Sequence, residues 1–254
     1  MKPSLIPAEE ASRFYLHWLN ADREKRQVQI QALIQSPLDR ADLPALLKRE
    51  LDNGYPLPRA MRRLRNLLIC AIIERDLSGL ADLSEVVGAM THFAEFAIRT
   101  HLDALYQELA DTHGIPVGAH SGKKQEMIVL GMGKLGGCEL NVSSDIDLIF
   151  VYPENGDTVS TRPGQRLLSN QEFFTRLGKR FIGALSEIAE DGFTFRVDMA
   201  LRPNGASGPL VASFGMVEQY LIVQGREWER YAWIKARAIT GNPEDIETLR
   251  RIVH

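Results

Sequence analysis

The stretch SSDIDLIFVY, residues 143–152, decides how this chain is read. Its two acids, Asp145 and Asp147, stand two apart in a run with strand character. Their side chains therefore leave one face, about 6.6 Å apart at the backbone. Carboxylates so placed can lean onto one Mg²⁺, or each onto one ion of a close pair. Ile146, Leu148 and Phe150 point the other way, while Ile149 and Val151 continue the acid face as apolar residues. The strand is expected to be buried on both sides beyond the acids. Two acids at the mouth of a buried strand are costly unless something cationic meets them.

Just upstream, VLGMGKLGG (129–137) carries Gly131, Gly133 and Gly136 in the G-x-G-x-x-G spacing of dinucleotide-binding folds. That fold needs a helix directly after the glycines, then a crossover of at least about ten residues to a parallel strand. Only CELNVSS (138–144) separates Gly137 from the next strand, and the acid wanted for a ribose, near Val151, does not sit at the end of a second parallel strand. The protein-kinase glycine loop fails as well. Cys138 sits at its valine position, and neither HRD nor DFG follows. A dinucleotide-dependent oxidoreductase is disfavoured, and a plain tight turn stays open.

Downstream, FTFRVDMALRP (193–203) alternates as a third strand. Phe193, Phe195, Val197, Met199 and Leu201 form one face; Thr194, Arg196, Asp198, Ala200 and Arg202 form the other. Asp198 is thus a third metal-directed carboxylate, and the arginines beside it suit a phosphate. Three carboxylates on two strands, next to glycines that let backbone N–H groups approach an oxyanion, fit phosphoryl or nucleotidyl transfer. Each part has a plainer reading. A lone D-x-D is commonly a turn or strand end, and Asp198 between arginines can be a structural ion pair.

The remainder of the chain sets bounds. At 254 residues, 44% hydrophobic and 25% charged, it has the make-up of a globular protein of one large or two ordinary domains. A net charge of −3 gives no general case for nucleic acid or an anionic membrane as partner. Two cysteines, Cys70 and Cys138, suggest no disulfide framework. The acidic start MKPSLIPAEE does not read as a signal peptide, and LLICAII (67–73) is too short to span a bilayer. The cytoplasm is the expected location.

Residues 1–115 read as a helical region. Met61, Leu64, Leu68 and Ile72 recur at helical spacing, with arginines expected on the opposite side. A long helix is expected from about Asp82, with Asp82 and Glu85 as a capping box, running past Met90, Phe93 and Ala97 towards Gly114. His92, Glu95 and His101 lack a metal-binding spacing and read as structural. THGIPVGAHSGKK (112–124) breaks the pattern, so a second domain is expected over 116–254. There, Ser169 and Glu172 cap a helix with Phe173, Phe174, Leu177, Phe181, Leu185 and Ile188 on its apolar face. Further helices are expected at about 214–224 and 226–238, the second pairing Glu227 with Arg230 and packing through Trp228, Tyr231 and Ile234. A last helix after Pro243 is still in pattern at His254, so a longer parent chain is expected.

Four segments in this order carry a family likeness: GMGKLGG, NVSSDIDLIFVY, RVDMALRPNGASGPLV and QGREWERYAWIKAR. They resemble the bacterial bifunctional glutamine synthetase adenylyltransferase/adenylyl-removing enzymes, strongly over roughly residues 125–242. The wording resembles the N-terminal, adenylyl-removing copy of that family's two catalytic domains. The resemblance implies an α+β fold: a nucleotidyltransferase domain of the DNA-polymerase-β type with a small mixed sheet, preceded by an all-helical region. It implies phosphorolysis, in which phosphate attacks the AMP carried on a tyrosine of glutamine synthetase and releases ADP. Asp145, Asp147 and Asp198 match the family's catalytic, metal-binding carboxylates, for two Mg²⁺ ions with Mn²⁺ possible. Gly136 and Gly137 match its phosphate-side loop. Ser144, Lys134, Arg196, Arg202 and Lys235 are further candidates for nucleotide or phosphate contact. The implied partners are glutamine synthetase, ATP or ADP and phosphate, and, in the full-length family member, a PII-type signal protein.

Two departures stand out. Ala200 occupies a position where the family usually has arginine, and family members are several times longer. Transfer in the forward direction, from ATP onto tyrosine, and a catalytically weak fragment that binds nucleotide or partner are the alternatives.

Overall fold

A computed structural model describes residues 6–253. The chain forms two compact units. One takes Met1–Ala97 (described from Ile6) with two excursions, Cys138–Ser144 and Ile188–Thr194. The other takes Ile98–Gly137, Asp145–Glu187 and Phe195–His254.

The first unit is helical: α1 (Ala8–Ala11), α2 (Arg13–Asn20), α3 (Arg23–Leu33), a 3₁₀ turn at Leu38–Arg40, α4 (Leu43–Asp52), α5 (Leu57–Leu77) and the first part of α6 (Leu83–His113). The texture break at 112–124 coincides with the end of α6, whereas the units divide within that helix, between Ala97 and Ile98. The α5 stripe expected to be apolar is buried: Met61, Leu64, Leu68 and Ile72 lie inside, and so does Cys70. The arginines are not all on the far side. Arg62 and Arg75 are buried too, because backbone carbonyls and a carboxylate await them. Arg75 grips Glu85 of α6 in two-pronged fashion at 2.6 and 2.9 Å, and also donates to the carbonyls of Ile34 and Leu80.

That grip changes the expected capping box. The Asp82 carboxylate does accept from the Glu85 N–H at 2.8 Å, but the Glu85 side chain turns to Arg75 and to the Leu38 N–H instead. A buried arginine outcompetes a backbone amide for a carboxylate because both hydrogen bonds are charge-assisted. The excursion Ile188–Thr194 joins this unit through polar contacts from α5. Arg62 and Asn66 donate to the carbonyls of Glu190 and Asp191, and Arg59 pairs with the Asp191 carboxylate at 2.8 Å.

The second unit holds a mixed sheet. Its strands are β2 (Ile128–Gly131), β3 (Ile146–Tyr152), β5 (Val197–Asp198), β6 (Val211–Ser213) and β7 (Arg237–Ala238). A separate antiparallel pair joins β1 (Ile115–Pro116) to β4 (Thr158–Val159). In the sheet β3 is central. It pairs antiparallel with β2 along one side, and parallel with β5 and then β6 along the other, while β7 edges β2. One face meets α8 (Asn170–Ser186), where Phe150 meets Phe181 edge-on and Tyr152 stacks on Phe174. Ile149 and Val151 on the other face join Val217 of α9 (Phe214–Val223), Trp233 of α10 (Glu227–Ile234) and Leu249 of α11 (Pro243–Val253). The strand is covered on both sides, as its apolar run requires.

Several expectations are corrected. Only Val197–Asp198 of the 193–203 alternation pairs as a strand, although inside–outside alternation holds from Phe195 to Leu201. Thr194, expected outside, is buried and belongs to the first unit. Helix α8 is capped by the Ser169–Glu172 box but ends at Ser186, leaving Ile188 exposed. The helix expected over 226–238 stops at Ile234 and gives way to β7. Trp228, Tyr231 and Ile234 do not pack; all three face solvent, and Trp233 provides the buried contact instead. Among the described residues no helix is long and apolar enough to cross a membrane.

Candidate functional site

The acids meet at the β3–β5 pairing. Asp147 and Asp198 are direct partners across these parallel strands. Side chains in such register share a face with backbones about 4.8 Å apart. Asp145 lies two residues before Asp147, just ahead of β3. Burial first, then the negative charges of Asp198 and Asp145, push the Asp147 carboxyl above its ordinary value, with Lys134 pulling the other way. Asp147 thus feels both of the other carboxylates.

They are not drawn into a finished cage. Among the described residues no group of three or more His, Cys, Asp or Glu side chains stands ready to hold a metal ion. The contacts explain why. Asp145 accepts from Arg196 Nε at 2.5 Å, and Asp198 accepts from the Ala200 N–H at 2.7 Å.

The glycine stretch supplies the other wall. After β2 the chain makes a single helical turn, α7 (Gly133–Gly136), before β3 returns antiparallel. An antiparallel return excludes the parallel crossover of a dinucleotide fold. Two glycines are needed here. Gly133 has φ +52°, and a Cβ on it would lie 2.8 Å from Asp147 Oδ2. A Cβ on Gly136 would lie 2.0 Å from the Lys235 carbonyl oxygen. Gly133 gives the Asp147 carboxylate its room, and Gly136 lets the α10–β7 connection pass.

The N–H groups of Gly136 and Gly137, expected on the phosphate side, donate within the turn to Met132 O and Gly133 O. Lys134 is exposed and acts on Asp147 through its charge. The Lys235 side chain is exposed while its carbonyl abuts Gly136. Arg202 donates to Met199 O at 2.8 Å. The Ser144 hydroxyl, in the excursion belonging to the first unit, donates to Asn141 Oδ1.

Two residues escaped the sequence reading. Gly133 was visible in the glycine spacing but had no role without the Asp147 contact. Arg237 of β7 donates to the carbonyls of Gly136 and Leu135 at 3.2 and 3.0 Å, and so pins the last residues of α7. Its signal is the stretch IKARA, which helical spacing over 226–238 hides.

A family model described as glutamate-ammonia ligase adenylyltransferase matches residues 16–251. The chain belongs to that family. Similar proteins are named bifunctional glutamine synthetase adenylyltransferase/adenylyl-removing enzyme. The one from Ralstonia nicotianae is 60% identical over 77% of this chain and 20% of its own length. That from Chromobacterium violaceum is 49% identical over 93% of this chain and 26% of its own. A Neisseria meningitidis serogroup B relative is 46% identical over 97% and 28%. The chain thus spans about a quarter of the length of the adenylyltransferases it matches.

Proposed function

We propose that this chain carries a nucleotidyltransferase site that removes AMP from an adenylylated tyrosine of glutamine synthetase by phosphorolysis. The observation that carries this reading is the side-by-side placement of Asp147 and Asp198 on β3 and β5, with Asp145 beside them. The mixed sheet with its glycine turn between β2 and β3 supports a polymerase-β-type assignment.

Three carboxylate oxygen donors suit a hard cation, and their mutual repulsion at Asp147 is what a cation would relieve. The donor set fits one or two Mg²⁺, or Mn²⁺, held by Asp145, Asp147 and Asp198. A cation there would neutralise charge on the transferred adenylyl group. The chain's own residues orient the reaction. Gly133 and the turn it opens set the position of Asp147, Arg237 fixes that turn, and Lys134 adds positive charge at its rim. In the reaction a phosphate oxygen bonds to the phosphorus of the AMP group as the bond to the tyrosine oxygen breaks. ADP leaves, and the tyrosine oxygen takes up a proton.

The test is ADP release from adenylylated glutamine synthetase with phosphate and Mg²⁺. Release that needs phosphate and is lost in Asp145→Asn and Asp198→Asn supports the reading. Incorporation of AMP from ATP into unmodified glutamine synthetase, without ADP release in the first assay, would reverse the direction. A folded chain inactive in both would refute an autonomous site.

A further inference from the structure

Resting on the metal site proposed above, we propose that Arg196 is a built-in stand-in for the cation, holding Asp145 until a metal ion displaces it. The guanidinium reaches Asp145 Oδ1 through Nε at 2.5 Å, and both side chains are about half exposed. Its backbone is fixed independently, since the Arg196 carbonyl accepts from the Ile146 N–H where β3 and β5 begin to pair. The arginine is therefore anchored one residue before the β5 strand and two before Asp198. It sits on the acid face that its place in the alternation assigns to it.

The charges make this arrangement necessary. Three carboxylates crowd one strand mouth, Asp147 directly across from Asp198 and Asp145 two residues before Asp147. With Asp145 engaged by Arg196, only part of that negative charge is left uncompensated. A dication entering the site must take Asp145 from Arg196 and overcome the repulsion of a positive charge a few ångströms away. An ion pair at this exposure is weak, so displacement is easy. A buried pair would block the site; an exposed one only sets a threshold. Once released from Asp145, the guanidinium still stands beside the site when a phosphate-bearing substrate needs a cation.

Arg196 thus lowers metal affinity in the free protein while keeping the acids folded in register. The experiment measures Mn²⁺ binding by the electron paramagnetic resonance signal of the free ion, without nucleotide or phosphate. The chain is compared with Arg196→Gln, Arg196→Lys and Asp147→Asn, with thermal melts as a check on folding. Arg196→Gln should bind Mn²⁺ about three- to ten-fold more tightly. Arg196→Lys, which keeps the charge, should stay near the parent. The gain should shrink at high salt, which a change in packing alone would not do. Mn²⁺ binding that depends on Asp147 but is unchanged or weaker in Arg196→Gln overturns the stand-in role and leaves the metal site standing. Absence of Mn²⁺ binding in the parent and in Arg196→Gln overturns both.

Discussion

At the scale of single residues, the site trades stability for chemistry. The Asp147 carboxyl is held above its ordinary value, so the charged form is disfavoured in the fold. A group with a raised folded value contributes stability below its unfolded value, and that contribution is lost as pH rises through the folded value. At neutral pH the Asp147 charge therefore works against the metal-free fold. Asp147→Asn should raise the metal-free Tm at neutral pH and leave it unchanged in strong acid, while reducing activity by about a hundred-fold or more. Calorimetry and the ADP-release assay check the two halves. Gly133→Ala should lower both, because its φ of +52° alone costs roughly 1–2 kcal/mol and the new methyl meets Asp147 Oδ2. At position 200, where the resemblance calls for arginine, Ala200→Arg should lower the KM for phosphate in the same assay.

Among the elements, the helical unit depends on a bond between two helices. Burial alone would raise the Glu85 carboxyl, but its hydrogen bonds from Arg75 and the Leu38 N–H outweigh burial and hold it below the usual carboxylate range. A depressed carboxyl stabilises the fold above its unfolded value, and this is lost as pH falls through the lower folded value. Glu85→Ala leaves Arg75 buried without its carboxylate and should cost about 3–5 kcal/mol, read by chemical denaturation at neutral pH. The mutant's deficit should narrow towards strong acid, where Glu85 is protonated in both states. In the sheet unit, Arg237→Ala frees the carbonyls of Leu135 and Gly136. Its effect should fall on kcat more than on Tm, since β7 keeps its backbone pairing with β2.

For the whole chain, what could be read from sequence was what local chemistry determines. The buried β3, the α8 cap and the α5 stripe follow from alternation, a Ser–Glu pair and helical spacing. What could not be read depended on partners distant in sequence. Arg62 and Arg75 looked like surface residues because the carbonyls that accept from them lie elsewhere in the chain. The 226–238 stretch looked uniformly helical because β7 exists only through its pairing with β2. Asp145, Asp147 and Asp198 were legible as a group from a two-residue period and an alternating run. The Arg196 contact and the fit of Gly133 against Asp147 required coordinates.

The two thiols offer a practical consequence. Cys70 is sealed in α5, and burial pushes its thiol up to about 12. Cys138 is exposed, directly after Gly137 at the end of the glycine turn. Thiolate reactivity follows exposure and ionisation, so at mildly alkaline pH a maleimide dye should modify one position rapidly and the second only after denaturation. Mass spectrometry of the singly labelled product should place the dye at Cys138. The chain then carries a single-colour reporter beside its glycine turn, with no residue of the acid site altered.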